Sequence, residues 1–189
     1  MDINACIMTG PIGSGKSYVC SLLKEHGFKV LDLDVVSNQI LNSEEGGDFL
    51  NKNFPAAIEK KNLKKEILAK EVFSDNSKLK LLEDFIHPKV KIHIESWVGN
   101  LDSYGVIEVS APKGKSTVYK TIVLNVPEEI RIQRLLQRGM KIEDINRRIN
   151  VQRPQAWWNK LGDNLNNINS NDVEKDLVSL IKSWGWVSE

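Results

Sequence analysis

Gly10-Pro11-Ile12-Gly13-Ser14-Gly15-Lys16-Ser17 is the stretch on which the fold turns, because it satisfies G-x-x-x-x-G-K-[ST] at every fixed position. Phosphate oxygens must be met at close range by several backbone N–H groups, and a side chain at the turn would stand in their way. Gly10, Gly13 and Gly15 permit the dihedrals and the close approach. Pro11, Ile12 and Ser14 complete the loop. Lys16 is then the cation that reaches the β- and γ-phosphates, and Ser17 is the hydroxyl that ligates magnesium. The helix that follows turns its positive end toward the phosphates. A glycine-rich turn that matched by chance would not need its flanks. Here an apolar run, Ile3–Met8, reads as a strand before the loop, and Lys16–His26 reads as a helix after it. ATP held with Mg2+ is the expected ligand.

Outward from the loop, Gly27 suits a helix C-cap and Lys29–Leu33 is a second short apolar run. Strand, loop, helix and strand in that order predict an α/β fold with a parallel sheet. From Val35 to about Asn100 the pattern is helical, with Leu79, Leu82, Phe85, Ile86 and Val90 at helix spacing within Ser77–Trp97. The charged run Glu59–Lys70 has Leu63, Ile67 and Leu68 on one side and reads as a solvated helix. Strand signals return at Gly105–Val109 and Thr121–Val126. Pro127 then opens a helix to about Gly139, and an Arg-rich helix covers Lys141–Arg153. An edge strand is expected around Leu165–Ile168, and an amphipathic helix, Val173–Trp184, follows it.

The chain has 189 residues, enough for one domain with a real core, and its 41% hydrophobic and 27% charged content is ordinary. A net charge of +1 argues against a broad grip on nucleic acid or an anionic membrane. Met1-Asp2-Ile3-Asn4 offers no basic region ahead of a long apolar stretch, so neither a signal peptide nor a membrane span is expected. A cytoplasmic protein is the default. Cys6 and Cys20 read as buried thiols, and no Cys/His spacing suggests structural zinc.

Leu31-Asp-Leu-Asp34 closes the second apolar run, where open parallel sheets gather their chemistry. A carboxylate there could orient or deprotonate an attacking hydroxyl, or hold a magnesium water. The alternative is an N-cap or strand-end turn, which Asp also suits. The first reading is favoured for Asp34 and the two are even for Asp32. Glu108 is either a support for magnesium through water or a half-buried charge satisfied by a neighbour.

Together these residues resemble a known family. Thr9–Ser17 followed by Gly27–Asp34 is similar to bacterial dephospho-coenzyme A kinase. Val72-Phe-Ser-Asp75 leading into Leu82-Glu-Asp-Phe-Ile-His-Pro88 matches its Val-Phe and Leu-Glu-x-x-x-His-Pro signature. Gln133-Arg134 through Gln137-Arg138, then Arg148-Ile149 and Gln152, continue the match. The resemblance implies a P-loop kinase fold with a parallel β-sheet flanked by helices, a helical substrate-binding insertion and a helical lid. It implies a nucleotide-binding core at 1–40, 104–137 and 162–189, an acceptor insertion at 41–103 and a lid at 138–161. The implied reaction moves the γ-phosphoryl of ATP to the 3′-hydroxyl of dephospho-CoA, with Asp34 as general base. Lys16 and Ser17 match the phosphate and magnesium groups, and Arg138 matches a lid arginine that neutralises the transferred phosphoryl. His87 and Pro88 would face the acceptor, as would Lys65, which stands where the family commonly has arginine. A lone His-Pro would otherwise read as a core histidine beside a helix breaker.

Ser110-Ala-Pro-Lys-Gly114 replaces the family's Pro-Leu-Leu-Phe-Glu, so a nucleoside or deoxynucleoside monophosphate kinase remains the alternative. A non-catalytic nucleotide-binding paralogue is the alternative of another class. Arg131, Arg134, Arg138, Arg147, Arg148 and Arg153 form a basic segment in which Arg131, Arg134 and Arg138 share one helix face; phosphate contact by one or two of the six and solvent for the rest is expected. Trp157-Trp158 and the Trp184/Trp186 pair read as packing anchors, and His26 and His93 as structural residues. The expected partner is a small molecule, with no nucleic acid or membrane, and the expected state is a monomer or weak homo-oligomer.

Overall fold

Five short strands pair side by side in the main sheet, and the edge strand Asp163–Asn166 buries only Leu165. The computed structural model describes residues 4–59 and 62–186. Strand β1 (Ala5–Thr9) enters the phosphate loop, α1 (Lys16–Glu25) leaves it, and β2 (Lys29–Asp32) returns. Then come α2 (Leu33–Leu41), α3 (Glu44–Asn53), a 3-10 turn at Pro55–Ala57, the hairpin β3 (Ile58–Glu59) and β4 (Asn62–Leu63), α4 (Lys65–Ser74) and α5 (Asn76–Gly99). The chain continues through β5 (Gly105–Val109), β6 (Lys120–Asn125), α6 (Glu128–Gln137), α7 (Ile142–Asn150), α8 (Gln155–Trp158), β7 (Asp163–Asn166) and α9 (Ser170–Ser183).

The main sheet has the order β2-β5-β1-β6-β7, and every pairing in it is parallel. Such a sheet is covered on both faces, which is why β1 and β6 read as continuous apolar runs rather than alternating ones. On one face Cys6, Met8, Val106, Ile122 and Leu124 pack with Val19, Leu22 and Leu23 of α1 and with Val173, Leu177 and Ile181 of α9. On the other, Val123 packs with Trp158 and Leu161. This is the expected α/β architecture.

The chain divides into two compact units, Met1–Asp32 with Leu101–Glu189, and Leu33–Asn100. The first holds the sheet. The second has its own core of Leu41, Leu50, Phe54, Ala57, Leu68, Val72 and Leu82, over which Phe49 and Phe85 stack at 4.0 Å.

Several expected elements shift. Strand β1 runs to Thr9, and Ile3 of the expected strand lies outside the described residues. The expected helix over Glu59–Lys70 starts only at Lys65, because Ile58-Glu59 pairs antiparallel with Asn62-Leu63. Lys64 holds that hairpin from its end, donating its N–H to the Ala57 carbonyl at 2.8 Å and pairing with Glu59 at 2.7 Å. Strand β7 starts and ends two residues before the expected Leu165–Ile168, with Leu165 opposite Leu124. Pro88 does not break its helix. It has no N–H for the Asp84 carbonyl, yet α5 continues from its Asp75 cap, which accepts the Ser77 N–H at 2.8 Å, through to Gly99.

Candidate active site

Thr9 ends β1 with its hydroxyl donating to the Val109 carbonyl at 2.7 Å, which ties the strand end to β5. The chain then turns through Gly10–Gly15 into α1. Gly13, at φ 79°, and Gly15, at φ 85°, adopt left-handed backbone that glycine takes without strain. Space makes the same demand. A Cβ on Gly13 would stand 2.8 Å from the Arg131 carbonyl oxygen, and one on Gly15 would stand 2.5 Å from Asn167 Nδ2. Gly15 is the N-cap of α1, and no side chain caps the helix there. The first-turn N–H groups therefore call for an outside acceptor, and an anion is the natural one.

The outer side of the loop is held by the protein itself. Arg131 Nη1 donates to the Ile12 carbonyl at 3.2 Å, and the Ile12 N–H donates to Gln152 Oε1 at 3.0 Å. Asn167 Nδ2 and Arg134 Nη1 both donate to the Ser14 carbonyl, at 2.7 Å and 3.4 Å. Lys16 Nζ lies back along the loop and donates to the Gly10 carbonyl at 3.0 Å. The carbonyls of Gly10, Ile12 and Ser14 are thus occupied by cations and amides, and the loop N–H groups other than those of Ile12 and Ser14, which donate to Gln152 and Pro11, are the ones that suit a ligand.

This changes the reading of the arginine face. Arg131 is buried, pairs with Glu128 at 3.2 Å and serves the loop backbone. Burial pulls its guanidinium below the usual arginine range, opposed by Glu128 and Glu129. Arg134 donates to the Asn167 carbonyl at 2.7 Å as well as to Ser14. These two arginines brace the loop through its backbone, and Arg131 is buried rather than solvated. Arg138 follows the last residue of α6 as its C-cap. With Gly15, Tyr18, Arg134, Gln137 and Asn167 it lines a cavity of about 280 Å³ at the start of α1.

On the other side of α1, the Ser17 hydroxyl donates to Glu108 Oε1 at 3.0 Å. Parallel register sets Glu108 beside Met8 of β1 and Asp32 of β2. Burial pushes the Glu108 carboxyl above the usual range and Asp32 adds to the rise, while Ser17, Lys16 and Cys20 oppose it. Cys20 and Cys6 are both free and buried, as expected. Burial drives both thiols up, Cys6 to about 12, so neither is a nucleophile near neutrality. Among the described residues no group of three or more His, Cys, Asp or Glu side chains could hold a metal by itself.

Asp34 lies in the first turn of α2, Lys65 opens α4, and His87 and Pro88 lie within α5. These four belong to the second unit, and the glycine loop, Ser17, Glu108 and Arg138 belong to the first. Trp157 and Trp158 pack edge to face at 5.3 Å, with Trp158 buried against the sheet, and Trp186 stacks on Tyr104 at 5.0 Å. These tryptophans are anchors, as expected.

The family model described as dephospho-CoA kinase matches residues 5–174. The chain belongs to the dephospho-CoA kinase family. The dephospho-CoA kinase of Thermus thermophilus is 34% identical over 153 residues, covering 78% of this chain and 74% of that one. That of Carboxydothermus hydrogenoformans is 31% identical over 195 residues, covering 95% and 93%. The solved structure of TT1252 from Thermus thermophilus superposes with a TM-score of 0.86 at 28% identity, covering 95% and 96%. As a member of the dephospho-CoA kinase family the chain is an ATP-dependent phosphotransferase. Among its described residues no helix is long and apolar enough to cross a membrane.

Asn167 escaped the sequence reading, and so did the loop-bracing bonds of Arg131 and Arg134. Asn167 is 2% exposed and holds the loop from just beyond β7, within the Asn-rich stretch where the sequence suggests an edge strand. A polar residue directly after a short edge strand was the available signal, and it is a weak one.

Proposed function

We propose that this chain transfers the γ-phosphoryl of ATP to the 3′-hydroxyl of dephospho-CoA, yielding ADP and coenzyme A. The observation that carries the reading is the glycine loop braced on its carbonyl side and opening into a helix without a side-chain cap. Lys16 exchanges the Gly10 carbonyl for the β- and γ-phosphates. Asp34 orients the acceptor hydroxyl and takes its proton as the oxygen attacks the γ-phosphorus and the bond to ADP breaks. Arg138 neutralises charge on the phosphoryl in flight. Positioning and electrostatic stabilisation account for most of the acceleration in such transfers.

The Ser17 hydroxyl and the Glu108 carboxylate are hard oxygen donors 3.0 Å apart, a partial set that suits Mg2+, which keeps waters and binds phosphates alongside one or two protein oxygens. Mg2+ held there would supply charge neutralisation to the phosphates during transfer. The acceptor insertion, residues 41–103, carries the acceptor-binding role with Lys65, His87 and Pro88 in it, and residues 138–161 serve as the lid. A cytoplasmic setting agrees with two free thiols.

Incubation with ATP, Mg2+ and dephospho-CoA tests the reading through the product's new 3′-phosphate. A nucleoside monophosphate acceptor is the second reading. It is favoured by Ser110–Lys113, which line a cavity of about 460 Å³ with Arg153 and Trp157 in place of the family's apolar segment. Faster turnover of any nucleoside monophosphate than of dephospho-CoA would move the assignment to it.

A further inference from the structure

The apex of the phosphate loop is gripped from two directions. Ile12 gives its carbonyl to Arg131 of α6 at 3.2 Å and its N–H to Gln152 at 3.0 Å. Arg131 is fixed by burial and by Glu128, so that side of the grip belongs to the rigid core. Gln152 is different. It lies two residues beyond α7, 140 positions from Ile12 in sequence, on the segment between α7 and α8. Its own N–H donates to the Ile149 carbonyl at 3.0 Å, which sets the turn that presents the side chain. Because Ile12 offers a donor, the end of the Gln152 amide that meets it is the oxygen. Gln152 also lines the cavity beside Pro11 and Arg131 and the one bounded by Ser110, Lys113 and Trp157.

We infer that Gln152 is a positioning residue for the nucleotide: by accepting the Ile12 N–H it sets the conformation of the loop apex on which triphosphate binding depends. The inference rests on the kinase reading, and it assigns Gln152 a task performed through the loop backbone rather than through contact with substrate. Gly13 follows Ile12 at φ 79° against the Arg131 backbone, so a rotation of the Ile12 peptide passes directly into the glycine turn. Seating of the segment after α7 and shaping of the phosphate loop are then a single equilibrium.

Gln152→Met keeps the length of the side chain and removes the strong acceptor. A neutral hydrogen bond of this kind is worth about a fivefold change in an equilibrium constant. The expected result is an ATP Kd and a KM for ATP raised about fivefold, with KM for dephospho-CoA unchanged within about twofold. The thermal midpoint should stay within about 2 °C of wild type. Amide exchange at Ile12 should be slow in the wild-type protein, where its N–H is bonded to Gln152, and should accelerate in the variant. A role confined to folding of the segment would instead lower the midpoint and raise both KM values together, and that outcome overturns the inference. So does unchanged Ile12 exchange, or an unchanged ATP Kd. The wild-type protein, assayed alongside for transfer to dephospho-CoA, tests the kinase reading separately.

Discussion

At Glu108 burial opposes the charge that a magnesium-supporting group has to carry. Its carboxyl is pushed above the ordinary glutamate range by burial first and by Asp32 second. A raised carboxyl pKa in the folded state means that the native protein binds the proton more tightly than the unfolded chain does. The stabilisation is therefore present at acid pH and is lost as pH rises through the folded-state value. Glu108→Gln abolishes that loss, so its thermal midpoint relative to wild type should increase from pH 4 to pH 7 in the absence of nucleotide, while its demand for Mg2+ in turnover rises. Lys16→Ala should lower kcat by about 10²–10³. Asp34→Asn should lower kcat by about 10²–10⁴ and leave the ATP Kd within about twofold, as read by direct titration. If Asp34→Asn turned over normally, the base would have to be sought elsewhere. The residues of the loop were legible because their chemistry dictates their spacing. The loop-bracing bonds of Arg131 and Arg134 were not legible, because helix periodicity gives the face of a side chain but not the backbone carbonyl it will find.

The helix α1 starts without a side-chain cap, and the turn ahead of it has no room for a Cβ at Gly13. Gly13→Ala puts a methyl 2.8 Å from the Arg131 carbonyl oxygen at a left-handed φ, so we expect more than about 1 kcal/mol of destabilisation and a marked loss of ATP affinity. Helix α5 poses the opposite case. Pro88 sits in its interior, where proline costs about 3 kcal/mol, and Pro88→Ala should raise the thermal midpoint. If Pro88 serves the acceptor, the same variant should raise KM for dephospho-CoA, so that stability and function move in opposite directions. A gain in both would remove Pro88 from the acceptor site. Elements were legible where an apolar pattern marked them, a helical period in α5 and short continuous runs in β5 and β6. The hairpin at Ile58–Leu63 was not, since two-residue strands leave no period and its Lys64–Glu59 pair mimics a solvated helix face.

For the molecule as a whole, nucleotide binding should appear as stability. ATP with Mg2+ at about 100 times its Kd should add about 2.7 kcal/mol to unfolding of the nucleotide-binding unit. That corresponds to a rise of about 5–10 °C in its midpoint by calorimetry. Omission of Mg2+ should shrink the shift. The parallel architecture followed from a single strand, glycine loop and helix, because that combination admits few other sheets. The bracing of the loop by Gln152 and Asn167 did not, since it joins residues 140 and 153 positions away from their partners. The strand order has one more outcome. Both neighbours of β1 are encoded after residue 104. During synthesis at about 5–20 residues per second, the first strand therefore waits about 5–20 seconds for a mate. The nascent chain must carry an apolar, unmatched ribbon through that interval, which makes the opening segment the natural client of a ribosome-bound chaperone.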